Sequence, residues 1–114
     1  EKASKRIMFW SLPNILIITL KRFSNNNQKN NKKITFPLKN LDMSEFIIGY
    51  DKEKYKYNLF GICNHMGGVN GGHYTAFVKN ANNNWYHFND TSVSKINKGN
   101  IQSESAYCFF YRKQ

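Results

Sequence analysis

Apolar positions along the chain fall into short, bounded runs of the kind that make strands and not long helices. Ile15 to Phe23 (Ile-Leu-Ile-Ile-Thr-Leu-Lys-Arg-Phe) is rich in β-branched and aromatic residues, is entered by Pro13-Asn14 and left through Ser24-Asn25, and predicts a buried strand. The Asn/Lys stretch from Ser24 to Asn31 predicts a flexible loop. Lys33 to Phe36 predicts a brief strand stopped by Pro37, which fixes φ and offers no N–H to a ladder. Asp42 to Phe46 could open one helical turn, with Asp42 as cap and Glu45 three residues on. From Tyr55 to Asn64 apolar residues recur at Tyr55, Tyr57 and Leu59 and, less cleanly, at Gly61 and Cys63, the period of a half-buried strand.

Four glycines crowd the stretch from Met66 to Gly72, which therefore predicts a loop whose backbone visits conformations closed to other residues. His73 to Lys79 and Trp85 to Asn89 then read as two strands of a hairpin turning through the Asn-rich segment Asn80 to Asn84. A polar segment around Gly99 to Ser105 leads to a last aromatic strand, Ala106 to Tyr111. The sum is a mainly antiparallel sheet with little helix, within a single unit of 114 residues, long enough to bury a modest core.

Composition agrees with a folded chain: 40% hydrophobic and 16% aromatic, with nine Phe and seven Tyr, is too apolar for a charged disordered tail. The net charge of +10 would fit a nucleic-acid partner, but most of the cations are Lys scattered among Asn. Only Arg6, Arg22 and Arg112 could make planar bidentate contacts, so the charge reads as solvated surface, with no nucleic acid expected. No apolar run approaches the roughly 18 residues that cross a bilayer, and no membrane role is expected. Cys63 and Cys108 lack metal-ligand spacing, so neither zinc nor any other cofactor is expected, and a reducing intracellular compartment, cytoplasm or nucleus, is the default. A chain starting at Glu1 rather than Met suggests a piece of something longer.

The candidate chemistry lies in the hairpin. If its turn centres near Ala81 and Asn82, antiparallel pairing sets His73 opposite Asn89 or Asp90, where cross-strand Cβ atoms lie ~4.5–5.5 Å apart. A histidine held by Asn or Asp is half of a Cys-His-Asn/Asp site: the third residue accepts Nδ1–H and leaves Nε2 to take the thiol proton. His73 also follows a glycine-rich loop that would let an extended substrate approach. His65 and His87 lack this company and read as structural. Cys63, within a strand, and Cys108, among aromatic residues, read as inert thiols, so a nucleophile would have to come from elsewhere.

Leu20-Lys21-Arg22-Phe23, Ile34-Thr35-Phe36-Pro37, Tyr57 to Gly61, Asn64 to Gly68, Gly71-Gly72-His73-Tyr74-Thr75-Ala76, Trp85 to Asp90 and Ala106 to Tyr111 follow one another in the order found in ubiquitin-specific proteases. From about Pro13 to Tyr111 the chain resembles that family. The resemblance implies an α+β, predominantly antiparallel, papain-like fold, with residues 1–114 forming the palm-sheet, C-terminal portion of the catalytic domain. It implies a thiol-dependent deubiquitinase that cleaves (iso)peptide bonds at the ubiquitin C-terminal glycine. His73 would be the base, Asn89 its orienting partner and Asp90 a second, assisting position. Gly71, Gly72 and Tyr74 would touch the ubiquitin tail, between the loop from Met66 to Gly72 and that from Ser24 to Asn31. Partners would be ubiquitin, ubiquitinated proteins and the N-terminal part of the same domain. The family's Cys-bearing box and its Cys-x-x-Cys fingers have no counterpart here, so this chain alone is expected to be inactive. A catalytically inactive ubiquitin-binding module is the alternative.

Overall fold

In the computed structural model, which describes residues 3–24, 28–68 and 71–114, all strand pairing is antiparallel. The strands are β1 (Ile15–Thr19), β2 (Leu41–Asp42), β3 (Lys56–Met66), β4 (His73–Lys79), β5 (Trp85–Asn89), β6 (Ser92–Ile96) and β7 (Ala106–Lys113). They form one sheet in the order β1-β7-β3-β4-β5-β6, with β2 paired to the start of β3. Helix among the described residues is limited to three 3₁₀ turns, at Ser44–Phe46, Lys52–Lys54 and Lys98–Asn100.

One sheet face carries the core. Tyr57, Leu59 and Ile62 of β3, Phe77 of β4, Trp85 of β5 and Phe109 and Tyr111 of β7 are buried together with Phe36, Ile101 and Ala106. Each fully buried side chain of this kind contributes about 1.5–3 kcal/mol. Phenolic hydroxyls tie the cover down: Tyr57 donates to the Pro13 carbonyl at 2.7 Å and Tyr111 to the Pro37 carbonyl at 2.8 Å.

The structure changes four of the sequence expectations. β1 is shorter than Ile15 to Phe23 and is not fully buried, because it lies at the sheet edge: Leu16 and Ile18 pack on the core while Ile15 and Ile17 face outward. Lys33 to Phe36 forms no strand; Phe36 is held instead by its ring against Phe109, centroids 4.5 Å apart, and by Gln102 Nε2, which donates to its carbonyl. Asp42 ends β2, and its Oδ1 accepts from the Ser44 N–H at 2.9 Å to start a 3₁₀ turn, not an α-helical one. In β3 the alternation changes phase, since Phe60 is an extra residue between the Leu59–Tyr111 and Gly61–Phe110 pairs. The bulge carries the buried phase from Leu59 to Ile62 and Asn64 and turns Cys63 to the other face.

Candidate active site

His73 opens β4 opposite Met66, and the β4–β5 hairpin brings it a partner. The hairpin register, Ala76–Phe88 to Lys79–Trp85, centres the turn on Asn82. Asn83 takes the left-handed conformation (φ 65°), which Asn tolerates, and the Asn84 N–H donates to Asn82 Oδ1 at 3.0 Å. That register sets Asn89 level with Thr75, one to two steps further along than expected, so Asn89 is the diagonal and not the direct neighbour of His73. The contact still forms, with His73 Nε2 and Asn89 Oδ1 2.6 Å apart.

This geometry corrects the expected roles of the two ring nitrogens. Asn89 Oδ1 is a carbonyl oxygen and can only accept, so Nε2 carries the proton and Nδ1 the lone pair. The diagonal approach across the hairpin meets the distal nitrogen, and Nδ1 is the atom available to take a proton from a thiol. Asp90 is placed elsewhere: it lies exposed in the two-residue turn between β5 and β6, in a left-handed conformation (φ 53°), and the structure gives it no hydrogen bond to His73.

Neither cysteine belongs to this site. Cys63 pairs with Ala76 and Cys108 with Cys63, and in a strand alternate residues face opposite ways. Both thiols therefore lie on the sheet face opposite His73. Burial, and then the adjacent Cys108, pushes the Cys63 thiol above its ordinary value, away from a ready nucleophile.

Beside His73 the glycine-rich segment closes on itself. Val69 and Asn70 of the predicted loop lie outside the described residues. Gly67 has φ 107°, a region that favours glycine, and a Cβ there would come 2.8 Å from the Gly72 Cα. A Cβ on Gly72 would fall 2.5 Å from both His65 Nε2 and the Met66 carbonyl oxygen, whereas Gly71 has open space around it. A shallow cavity of about 290 Å³ is lined by Phe23, His65, Gly68, Gly71, Gly72 and Tyr74, bringing the three expected substrate-contact residues together. Tyr74 is 58% exposed at its edge.

His65 is the floor of this loop. It is 4% exposed, with its ring 4.8 Å from Tyr74, 5.8 Å from Phe23 and 6.2 Å from Tyr107. Burial, reinforced by Lys29, holds its pKa below the ordinary imidazole value and so favours the neutral ring. Lys29 Nζ donates to the His65 carbonyl at 2.8 Å and pins the second loop beside the first. The ends of that second loop are hydrogen-bonded and not free, with the Ser24 N–H donating to the Gln28 carbonyl at 2.9 Å; Asn25 to Asn27 of the predicted loop lie outside the described residues. His87 faces the core side, its ring 5.1 Å from Phe77.

Sequence reasoning missed the structural weight of Arg22. It is buried, its Nε donates to the Ala106 carbonyl at 2.6 Å, and its Nη1 donates to the Asn30 and Lys32 carbonyls at 2.9 and 2.8 Å. One guanidinium thus fastens the Ser24–Asn31 loop to β7. The signal was an Arg held between Leu20-Lys21 and Phe23 at the end of the apolar run from Ile15, where a buried charge needs built-in partners. Among the described residues no group of three or more His, Cys, Asp or Glu side chains is placed to hold a metal ion.

Three kinds of likeness to known proteins bear on this site. The ubiquitin carboxyl-terminal hydrolase family model matches residues 1–111. The chain is 45% identical over 118 residues to human ubiquitin carboxyl-terminal hydrolase 15, covering 100% of this chain and 12% of that protein. It is 40% identical over 117 residues to Arabidopsis thaliana ubiquitin carboxyl-terminal hydrolase 9, covering 13% of it. The chain thus spans about an eighth of the curated relatives it matches. Among solved structures, the SAGA DUB module containing Ubp8, Sgf11, Sgf73 and Sus1 matches with a TM-score of 0.79 at 37% identity, over 90% of this chain and 24% of the matched one. The same module with Ubp8(C146A), bound to monoubiquitin, matches with a TM-score of 0.78.

Proposed function

Because this chain belongs to the ubiquitin carboxyl-terminal hydrolase family, we propose that it is the C-terminal, histidine-bearing part of a deubiquitinase catalytic domain. The observation that carries the reading is the 2.6 Å contact of His73 Nε2 with Asn89 Oδ1, beside a glycine-rich loop. With Nε2–H held by Asn89, Nδ1 takes the proton of a cysteine thiol contributed from outside these residues. The thiolate adds to the carbonyl of the ubiquitin C-terminal glycine, and the imidazolium returns its proton from Nδ1 to the departing amine. Water, deprotonated by the same nitrogen, then releases ubiquitin from the thioester.

Gly71, Gly72 and Tyr74 are the residues we assign to the extended ubiquitin tail, in the cavity they line with Phe23 and His65. Asp90, exposed in the next turn, would act on the site through solvent or an incoming substrate and not through His73. The partners are ubiquitin, ubiquitinated proteins and the remainder of the domain.

The test is release of a fluorophore from the ubiquitin C-terminus by the full-length protein. Thiol-sensitive turnover that falls by at least ~10²-fold in His73→Ala supports the assignment. A folded wild-type protein that binds ubiquitin without turnover would instead establish an inactive ubiquitin-binding module.

A further inference from the structure

The face opposite His73 carries two thiols with no part in the proposed reaction. Cys63 on β3 and Cys108 on β7 are paired partners in the antiparallel ladder, both free and both partly buried. Directly opposed residues have Cα atoms about 4.5–5.5 Å apart, inside the roughly 4.4–6.8 Å span of a disulfide. Their side chains emerge on the same face. The flanking positions in this row are small, with Thr19 paired to Cys108 on one side and Ala76 paired to Cys63 on the other.

With both thiols reduced, each sulfur has a partner of its own. Cys108 Sγ lies 3.5 Å from Thr19 Oγ1, and Cys63 Sγ donates weakly to the Asn64 carbonyl at 4.0 Å. After burial, the largest influence raising the Cys63 thiol is Cys108 itself. A disulfide needs Cβ atoms about 3.5–4.5 Å apart, closer by up to ~1 Å than an ordinary opposed pair. The register irregularity next to the pair, where Tyr107 is the extra residue between Cys108 and Ala106, gives local slack for that approach.

We propose that Cys63 and Cys108 form an oxidant-driven modification site, closing an intrachain cross-strand disulfide when the protein meets a hydroperoxide. One thiol ionises and its thiolate attacks the peroxide O–O bond, giving a sulfenic acid and hydroxide, which takes up the proton that the thiol released to become water. The other sulfur then attacks the sulfenic sulfur, forming the S–S bond and breaking S–O, with hydroxide leaving and taking up the displaced proton as a second water. Both thiols are oxidised and the peroxide is reduced; a thiol reductant reverses the step. The bond would strap β3 to β7 two residues from His65, the floor of the glycine-rich loop. A transient, reversible disulfide of this kind suits a reducing compartment.

The experiment uses the full-length protein treated with hydrogen peroxide at mildly alkaline pH, where more of the raised Cys63 thiol is ionised. Free thiols are then alkylated and the protein is mapped by mass spectrometry without reduction. The expected result is a Cys63 peptide linked to a Cys108 peptide, absent after dithiol reduction and absent in Cys63→Ser. Recovery of both residues as alkylated thiols, as separate sulfur oxides, or bonded to other cysteines overturns the proposal. Because the decisive result comes from the wild-type protein and reads no activity, it stands apart from the fate of the deubiquitinase reading.

Discussion

Asn89 reaches His73 along the diagonal of a hairpin, not straight across it, and so engages Nε2 at 2.6 Å and leaves Nδ1, the atom proposed to transfer the proton, turned away from Asn89. The orienting residue must therefore accept a hydrogen bond at the distal nitrogen. Asn89→Ala removes the acceptor and frees the ring to adopt the other tautomer, and kcat/KM is expected to fall at least about tenfold with little change in thermal stability. Asn89→Asp keeps an acceptor and should retain most of the activity. Equal losses in the two variants would show that the acceptor is not what matters.

Gly72 and Gly71 are expected to separate packing from substrate contact. A Cβ at Gly72 meets the Met66 carbonyl oxygen, a backbone atom, and His65 Nε2 at 2.5 Å, so Gly72→Ala should cost about 1–3 kcal/mol and displace the loop. Gly71 has nothing within 4 Å, so Gly71→Ala should leave the melting temperature unchanged. A rise in KM for Gly71→Ala would then report a clash with the ubiquitin tail alone. Thermal melts and steady-state kinetics on both variants check this.

Two buried groups set opposite limits on the pH range of stability. His65 has its pKa lowered by burial and by Lys29, so below about 6.5 the unfolded chain binds a proton that the folded one does not, and stability falls as pH falls. Tyr111, which donates to the Pro37 carbonyl, is pushed up to about 12 by burial. Below pH 10 its contribution is complete; between pH 10 and about 12 the unfolded chain ionises first and stability falls as pH rises. For Tyr111 the loss amounts to about 1 kcal/mol per pH unit at its steepest. Melting temperature against pH should fall less steeply on the acid side in His65→Gln and less steeply on the alkaline side in Tyr111→Phe.

The sequence made the hairpin plain, because Trp85 to Asn89 and His73 to Lys79 are strand formers flanking five residues of turn chemistry, and both strands have the predicted ends. Its register was not legible to better than one residue, since Asn at every turn position but Ala81 leaves the centre undetermined. The Phe60 bulge depends on the partner strand β7, which no local pattern encodes, and it reversed the expected facing of Cys63. β6 went unread because Ser92–Ile96 is largely exposed and shows no apolar face. Phe36 illustrates the converse: an apolar residue before Pro37 looked like a strand end, yet its burial is against Phe109 and its backbone pairs with no strand. That His73 and Asn89 come together was legible through hairpin pairing and resemblance, while which ring nitrogen meets Asn89 required the geometry.

His73 is proposed to serve a cysteine that this segment does not contain. The direct measurement is labelling of the full-length protein by ubiquitin carrying a thiol-reactive electrophile at its C-terminus, with the adduct mapped by mass spectrometry. The expected result is a single adduct on a cysteine other than Cys63 and Cys108, formed at least ~10²-fold more slowly in His73→Ala. An adduct on Cys63 or Cys108, or labelling indifferent to His73, would contradict it.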